Sequence, residues 1–304
     1  MAQKKHANLW RIVALGAVLL AGVGLGVGAS RLTGSAKRPI LDATTREVTS
    51  AGDPDALAEL PPLGAPAPPS QATTPELAVS GFLTAEANGD FTGSYAFLAT
   101  ADHEEFATPA FWVQSHGSFP VVTGFRVEGV ASDGDTAQVS TLTGYRPDLN
   151  EVLGLVTARA RSTWLTVHEN GVWRVVFSKS TDDRLYPGDA AAATVARQWA
   201  ERRIACQPSG ELEASLKGSP FLARDLCQAN GELKLGGPSE LSPLDDTTPF
   251  ISAYGPEVMR WARAVPIISP QPMQVVLAPV GADWKVMGVI RQSVETPEAP
   301  PAGG

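Results

Sequence analysis

The sequence predicts an α+β protein in which an N-terminal transmembrane helix is followed by two tandem units, each made of helices packed on a curved antiparallel sheet. Three observations predict it: an uncharged apolar stretch at residues 12–29, a change of hydrophobic period near Val121, and a short Trp-containing hairpin pattern found near the end of each unit.

Lys4, Lys5 and Arg11 stand ahead of the apolar stretch, which as a helix would rise roughly 27 Å and span a hydrocarbon core. Trp10 occupies the place of an interfacial aromatic. Residues 1–11 therefore read as a cytoplasmic leader. Arg31, Lys37 and Arg38 balance the charge on the far side, but long downstream domains translocate largely regardless of charge. The alternative is a cleaved export signal ending at Val27-Gly28-Ala29, and both readings place the remaining chain outside the cytoplasm. No Cys near the segment offers a lipoprotein attachment. Gly22, Gly24, Gly26 and Gly28 follow the small-xxx-small pattern by which membrane helices pack, so self-association into a homo-oligomer is one reading and the ordinary glycine content of membrane helices the other. The same glycines lack the third Gly and the preceding strand of a dinucleotide fingerprint.

Residues 30–73 form a Pro/Ala-rich linker, with Pro61, Pro62, Pro66, Pro68 and Pro69 favouring an extended spacer. The first unit, residues 74–187, opens with Thr74-Pro75-Glu76, an N-cap with Pro at the first helical position. A turn at Asn88-Gly89-Asp90 separates this helix from the next. Beyond Val121 polar and apolar residues alternate, with hairpin turns at Asp133-Gly134-Asp135 and at Asn170-Gly171. The second unit, residues 188–293, begins with a helical run capped by Asp189 and finishes in two strands. Gly171-Val172-Trp173-Arg174-Val175 and Gly281-Ala282-Asp283-Trp284-Lys285-Val286 are both a turn, then Trp, a cation and Val; lying roughly 110 residues apart, they suggest a duplication. Residues 294–304 are a Pro-rich tail with a disordered composition.

The formal net charge is -8 with a pI near 5.1, and no block of Lys and Arg follows the anchor, so nucleic acid is not expected as a direct partner. The two cysteines, Cys206 and Cys227, have no CxxC partner or downstream His for a metal, and in an oxidising compartment they read as a disulfide.

Helices followed by a sheet that ends in Gly-x-Trp-(Arg/Lys)-Val resemble the nuclear-transport-factor-2-like (cystatin-like cone) superfamily, over residues 74–186 and again, interrupted by Pro238, Pro243, Pro249, Pro256, Pro266, Pro270 and Pro272, over 188–293. Such domains in exported actinobacterial proteins often follow one anchor helix and a Pro/Ala-rich linker. The whole layout is similar to TcpC-type conjugation proteins and to the scaffold subunit of secretion systems that spans the membrane once. That resemblance implies a non-enzymatic, oligomeric assembly component.

No Gly-x-Ser-x-Gly, Ser-x-x-Lys or HExxH motif occurs, and Asp102-His103-Glu104-Glu105 reads as a solvated turn. Asp182-Asp183 and Asp245-Asp246 read as turn and cap residues. A cone fold implies a pocket between sheet and first helices, for which Phe82, Tyr95, Trp112, His116, Trp164 and Trp173 are candidate lining residues; the bland reading is that they are simply core. No cofactor, metal or catalytic residue is expected. The sequence therefore predicts a single-pass, extracytoplasmic envelope protein that contacts other envelope or inner-membrane proteins, within a secretion, conjugation or cell-wall complex. The alternative is a small-ligand binder or enzyme using the first unit's pocket.

Overall fold

Capping chemistry starts the first helix where the sequence places it. Thr74 is extended (φ -130°, ψ 157°), its hydroxyl accepts from the Leu77 amide at 3.3 Å, and Pro75 opens α1 (Pro75–Ala87). Asp90 caps α2 (Phe91–Tyr95) in the same way through the Gly93 amide, and Thr108 caps α4 (Pro109–Ser115) through that of Phe111. Between them lies α3 (Asp102–Glu105). This computed structural model describes residues 52–65, 67–218, 220–243 and 245–291, all within one compact unit.

The period-2 segments then form β1 (Val122–Asp133), β2 (Thr136–Tyr145), β5 (Arg159–Glu169) and β6 (Val172–Leu185), an antiparallel sheet in the order β1-β2-β5-β6. At the second hairpin Asn170 (φ 53°) and Gly171 (φ 82°) both take the left-handed conformation that a tight two-residue turn needs. Between β2 and β5 a small hairpin, β3 (Asp148–Asn150) and β4 (Gly154–Val156), reaches toward the C-terminal half. Phe82, Leu83, Ala78 and Val79 of α1 bury against the concave face of the sheet, over Val139, Trp164 and Val175.

One irregularity shapes that face. The pairing of β5 with β6 jumps from Thr163↔Thr181 to Leu165↔Val176, so residues 177–180 bulge opposite Trp164. The fully buried carboxylate of Asp102 accepts the amides freed there, Phe177 at 2.6 Å and Ser178 at 3.1 Å. The bulge turns the Phe177 ring onto the aromatic core, against Trp112 and Phe106. Asp102, read from sequence as part of a solvated turn, is thus an internal cap.

The C-terminal half contains α5 (Ala190–Ile204), β7 (Glu213–Gly218), α6 (Pro220–Asp225), β8 (Lys234–Leu235), β9 (Ser239–Glu240), α7 (Thr248–Tyr254), α8 (Val258–Trp261), β10 (Arg263–Ser269), β11 (Met273–Val280) and β12 (Asp283–Arg291). Its sheet runs β7-β12-β11-β10-β8, with β9 also on β10. Ala192, Ala196, Trp199 and Ala200 of α5 pack on Val265, Val275 and Val289.

The expected architecture needs correction in two respects. First, among the described residues no helix is long and apolar enough to cross a membrane; the longest, α5, has 15 residues and carries Arg197, Glu201, Arg202 and Arg203. The segment expected to span, residues 12–29 with Gly22, Gly24, Gly26 and Gly28, lies outside the described residues, as do the leader and the tail. Second, the C-terminal half does not repeat the first sheet: β7 lies parallel to β12, and β10 has only the two short strands β8 and β9 on its other side. Pro266 within β10 removes a ladder donor, which shortens pairing on one flank. The Trp-containing hairpins do recur, as β5–β6 and β11–β12, but β6 is the edge of its sheet whereas β12 lies inside its own, between β11 and β7.

The residues before Thr74 are not all spacer. Asp53 and Asp55 both engage Arg161 on the convex face, each at 2.7 Å, with Ala56 buried beside Leu142 and Leu185. Gly52 bridges Pro187 in a left-handed conformation (φ 71°), and a Cβ there would meet the Gly188 amide nitrogen at 2.1 Å, so only Gly fits. The two halves are joined closely: Leu155 of β4 is buried among Phe250, Tyr254 and Trp261, and Trp284 donates to the Gly188 carbonyl at 3.1 Å.

Candidate functional site

The residues expected to line a pocket form a solid interior instead. Phe82 lies 6.3 Å from Trp112 and 5.6 Å from Trp164 between ring centroids, and Phe106, Phe119 and Phe177 fill the space around them. The Trp112 indole donates to the Ser94 hydroxyl at 2.9 Å, and the Tyr95 hydroxyl donates to the Phe106 carbonyl at 2.9 Å. His116 stacks on Phe91 at 3.7 Å, with Nε2 2.9 Å from the Glu86 carboxylate and Nδ1 2.8 Å from the Trp112 carbonyl oxygen. Both side chains of the His116–Glu86 pair are 8% exposed, so it locks α4 to α1 inside the protein. Trp173 is half-buried in the β5–β6 hairpin near His168. The structure brings Phe82, Trp112 and Trp164 together in one core cluster, with Tyr95 and Trp173 packed partly buried against it and His116 stacked at its edge.

The open space lies further along the concave face. A cavity of about 220 Å³ is lined by Pro120, Tyr145, Val156, Thr157 and Ala160, by Asp182, Asp183 and Arg184 at the end of β6 with Tyr186 just beyond it, and by Glu257 and Arg260 at the start of and within α8. None of the six residues expected from sequence is among them. A line of buried hydroxyls leads toward it: the Trp164 indole donates to Thr141 (2.9 Å), Thr141 bonds Thr143 (2.8 Å), and Ser162 donates to Thr143 (2.9 Å). The Tyr145 hydroxyl, next on the same face of β2, donates to Asp182 at 2.7 Å. Burial pushes the Tyr145 phenol well above its ordinary range, and the neighbouring Asp182 carboxylate adds to this; the group stays protonated and acts as a donor. Burial also raises the Tyr186 phenol, against the opposing pull of Arg184.

Asp182 and Asp183, expected in a turn, are both in β6, and pairing with Ser162 and Arg161 sets them on opposite sheet faces. Around the cavity Arg184 stands 3.6 Å from Glu257, longer than a hydrogen bond. Among the described residues that line it there is no His, Cys, Ser or Lys, and among the described residues no group of three His, Cys, Asp or Glu side chains is placed to hold a metal ion. The arrangement offers charged groups and a phenol donor.

No protein-family model matches the chain, and no curated protein matches it in sequence. Among solved structures, the solution structure of RPA3114, a SEC-C motif containing protein from Rhodopseudomonas palustris, matches 36% of this chain and 79% of its own at 15% identity, with a TM-score of 0.29. A likeness of that size carries no argument about fold or activity.

The cysteines do pair. Cys206, just beyond the end of α5 and in a left-handed conformation (φ 56°), bonds Cys227 with the Cα atoms 4.8 Å apart. The bridge ties α5 to the turn Leu226–Gln228, whose Leu226 is fully buried in the C-terminal core. Closing a 21-residue separation contributes about 3 kcal/mol by restricting the unfolded chain.

Proposed function

We propose that this chain is a non-enzymatic, extracytoplasmic protein of a bacterial cell envelope that acts through contacts with other envelope proteins, as a structural subunit of a secretion, conjugation or cell-wall assembly. The observation that carries this reading is the filled interior: six aromatic rings occupy the space where a cone-like fold would otherwise hold a reaction chamber. The disulfide favours an oxidising compartment. The layout of helices followed by a sheet, read as nuclear-transport-factor-2-like, supports an assembly role. Apolar groups left at the surface, with Phe111 46% and Val113 40% exposed on α4, suit partner contact.

Crosslinking in intact cells followed by co-purification tests the proposal. The expected result is recovery of the chain joined to a reproducible set of envelope proteins. Recovery of the chain alone at every crosslinker length, or free alkylation of Cys206 and Cys227 in cells without prior reduction, would overturn it.

A further inference from the structure

The two edges of the N-terminal sheet are treated differently. Along β6 the chain closes its own edge. The Trp173 amide donates to the Ala72 carbonyl and the Val175 amide to that of Phe97, each at 2.8 Å, and the Val175 carbonyl accepts from the Ala99 amide at 2.8 Å. Asp102 takes the amides of Phe177 and Ser178. Along β1, among the described residues, no backbone group other than those of β2 bonds any residue from Val122 to Asp133.

The turn decides which groups of that edge point outward. Gly134 and Asp135 form a two-residue loop closed by the pair Asp133↔Thr136, and bonded and free pairs alternate from there. Ser132 and Val130 therefore turn their N–H and C=O groups away from β2. The bulge between Val127 and Gly129 and the Arg126–Glu128 ion pair at 2.9 Å guard the earlier part of the strand. Residues 129–133 are all exposed and contain no Lys, Arg or Pro, and a Cβ added at Gly129 would meet nothing within 4 Å. Val130 pairs with the buried Val139 and is itself 37% exposed, so its side of the edge is an apolar rim.

We infer that this open edge receives an extended basic segment of another envelope protein, which adds a strand beside residues 129–133. The inference rests on the assembly reading above and names the surface that reading needs. Charge selects the occupant. Asp133 and Asp135 stand at the turn end, the latter with its side chain 89% exposed and His168 3.7 Å away, whereas Arg126 is already paired with Glu128. A second copy paired antiparallel about Ala131, so that Val130 meets Ser132, would set Asp133 opposite Gly129 and beside Glu128 of the other copy, like charge against like. A strand with Lys or Arg at that end meets the aspartates instead, while its backbone bonds Val130 and Ser132 and an apolar side chain covers Val130.

Binding of the acetylated peptide Lys-Thr-Val-Thr-Val-Thr-Lys to the full chain tests this, read by hydrogen–deuterium exchange, with the glutamate-ended peptide as control. The lysine peptide should slow exchange in residues 129–133 and leave the closed edge, residues 172–178, unchanged. The glutamate peptide should need about tenfold more for half protection. Val130→Pro removes only an outward N–H, and Ser132→Lys adds a guarding charge; each should raise the half-protection concentration by about tenfold. The unfolding midpoint should stay at the parent's value; where Val130→Pro lowers it, Ser132→Lys carries the comparison. In crosslinked cells both variants should lose the envelope proteins that the parent recovers. The inference is overturned if the lysine peptide leaves residues 129–133 unprotected, if the glutamate peptide protects them equally, if both variants keep the parent's co-purified set, or if this edge crosslinks to a second copy of the chain. Protection by the lysine peptide with the parent recovered alone from cells would uphold the edge as a strand-binding site and overturn the assembly reading instead.

Discussion

The two sheets solve the same burial problem with different materials. The N-terminal sheet covers its concave face with rings and a line of hydroxyls, from Phe82 and Trp112 to Thr141, Thr143 and Ser162. The C-terminal sheet buries a mainly aliphatic set under α5, with Val265, Val275, Val286 and Val289 around Trp199 and Trp284, and adds a covalent tie at Cys206–Cys227. Aromatic and polar networks are specific in geometry, because each donor needs its acceptor; an aliphatic core tolerates exchange but fixes less. The contrast teaches why irregular features collect in the first sheet. The Asp102-capped bulge, the buried His116–Glu86 pair and most of the cavity's walls are all there.

The largest test of this contrast removes a ring. Trp112→Ala should cost about 4 kcal/mol in denaturant unfolding, since it empties a fully buried site and removes the indole's hydrogen bond to the Ser94 hydroxyl. An equally large loss from Val275→Ala would erase the distinction between the halves. His116→Ala should follow at about 3 kcal/mol, because it leaves the Glu86 carboxylate buried without its partner. His116→Ala together with Glu86→Ala should recover part of the loss, and a double-mutant cycle measures the coupling.

Opening the tie by Cys206→Ser with Cys227→Ser should cost about 3 kcal/mol and act on the other half. Exchange should rise in α5 and around Leu226 while the aromatic interior keeps its protection, and uniform loosening of both sheets would break the comparison.

The smallest effect concerns the cavity. Tyr145→Phe should cost about 1 kcal/mol, the net worth of one hydrogen bond to Asp182. It should also change the alkaline limb of stability. The Tyr145 phenol titrates higher in the folded protein than in the unfolded chain, so its contribution is complete below about pH 10 and is lost above it, where the unfolded chain releases the proton first. The parent should therefore weaken with pH above that point, and Tyr145→Phe should weaken less, as followed by unfolding midpoints across alkaline pH.

Local chemistry was legible in the sequence where a single segment decides it. Thr74 with Pro75, the Asn170-Gly171 turn and the pairing of two lone cysteines were all readable. Periodicity also showed which residues turn inward, but not whether they enclose space or fill it, and so Phe82, Trp112 and Trp164 looked equally like lining and like core. The cavity could not be read, because Tyr145, Asp182 and Arg260 come from three separate segments and meet only where the start of α8 approaches the end of β6. Asp182-Asp183 looked like a turn because paired acids are rare in strands; the alternation of Thr141, Thr143 and Tyr145 on the inner face was the signal that polar groups were being carried toward an opening. The C-terminal sheet was misread as a second copy because one hairpin matched, while the prolines that shorten β8 and β9 set the rest of the pairing.

The clasp of Arg161 on Asp53 and Asp55, beside the bridge from Gly52 to Pro187, decides how the chain bears a mechanical load. A pull applied upstream of residue 52 would load the Gly52–Pro187 bridge first and then the Asp53 and Asp55 pairs with Arg161, one after another, so tension from that end is felt on β5 and beside Pro187 before it reaches α1.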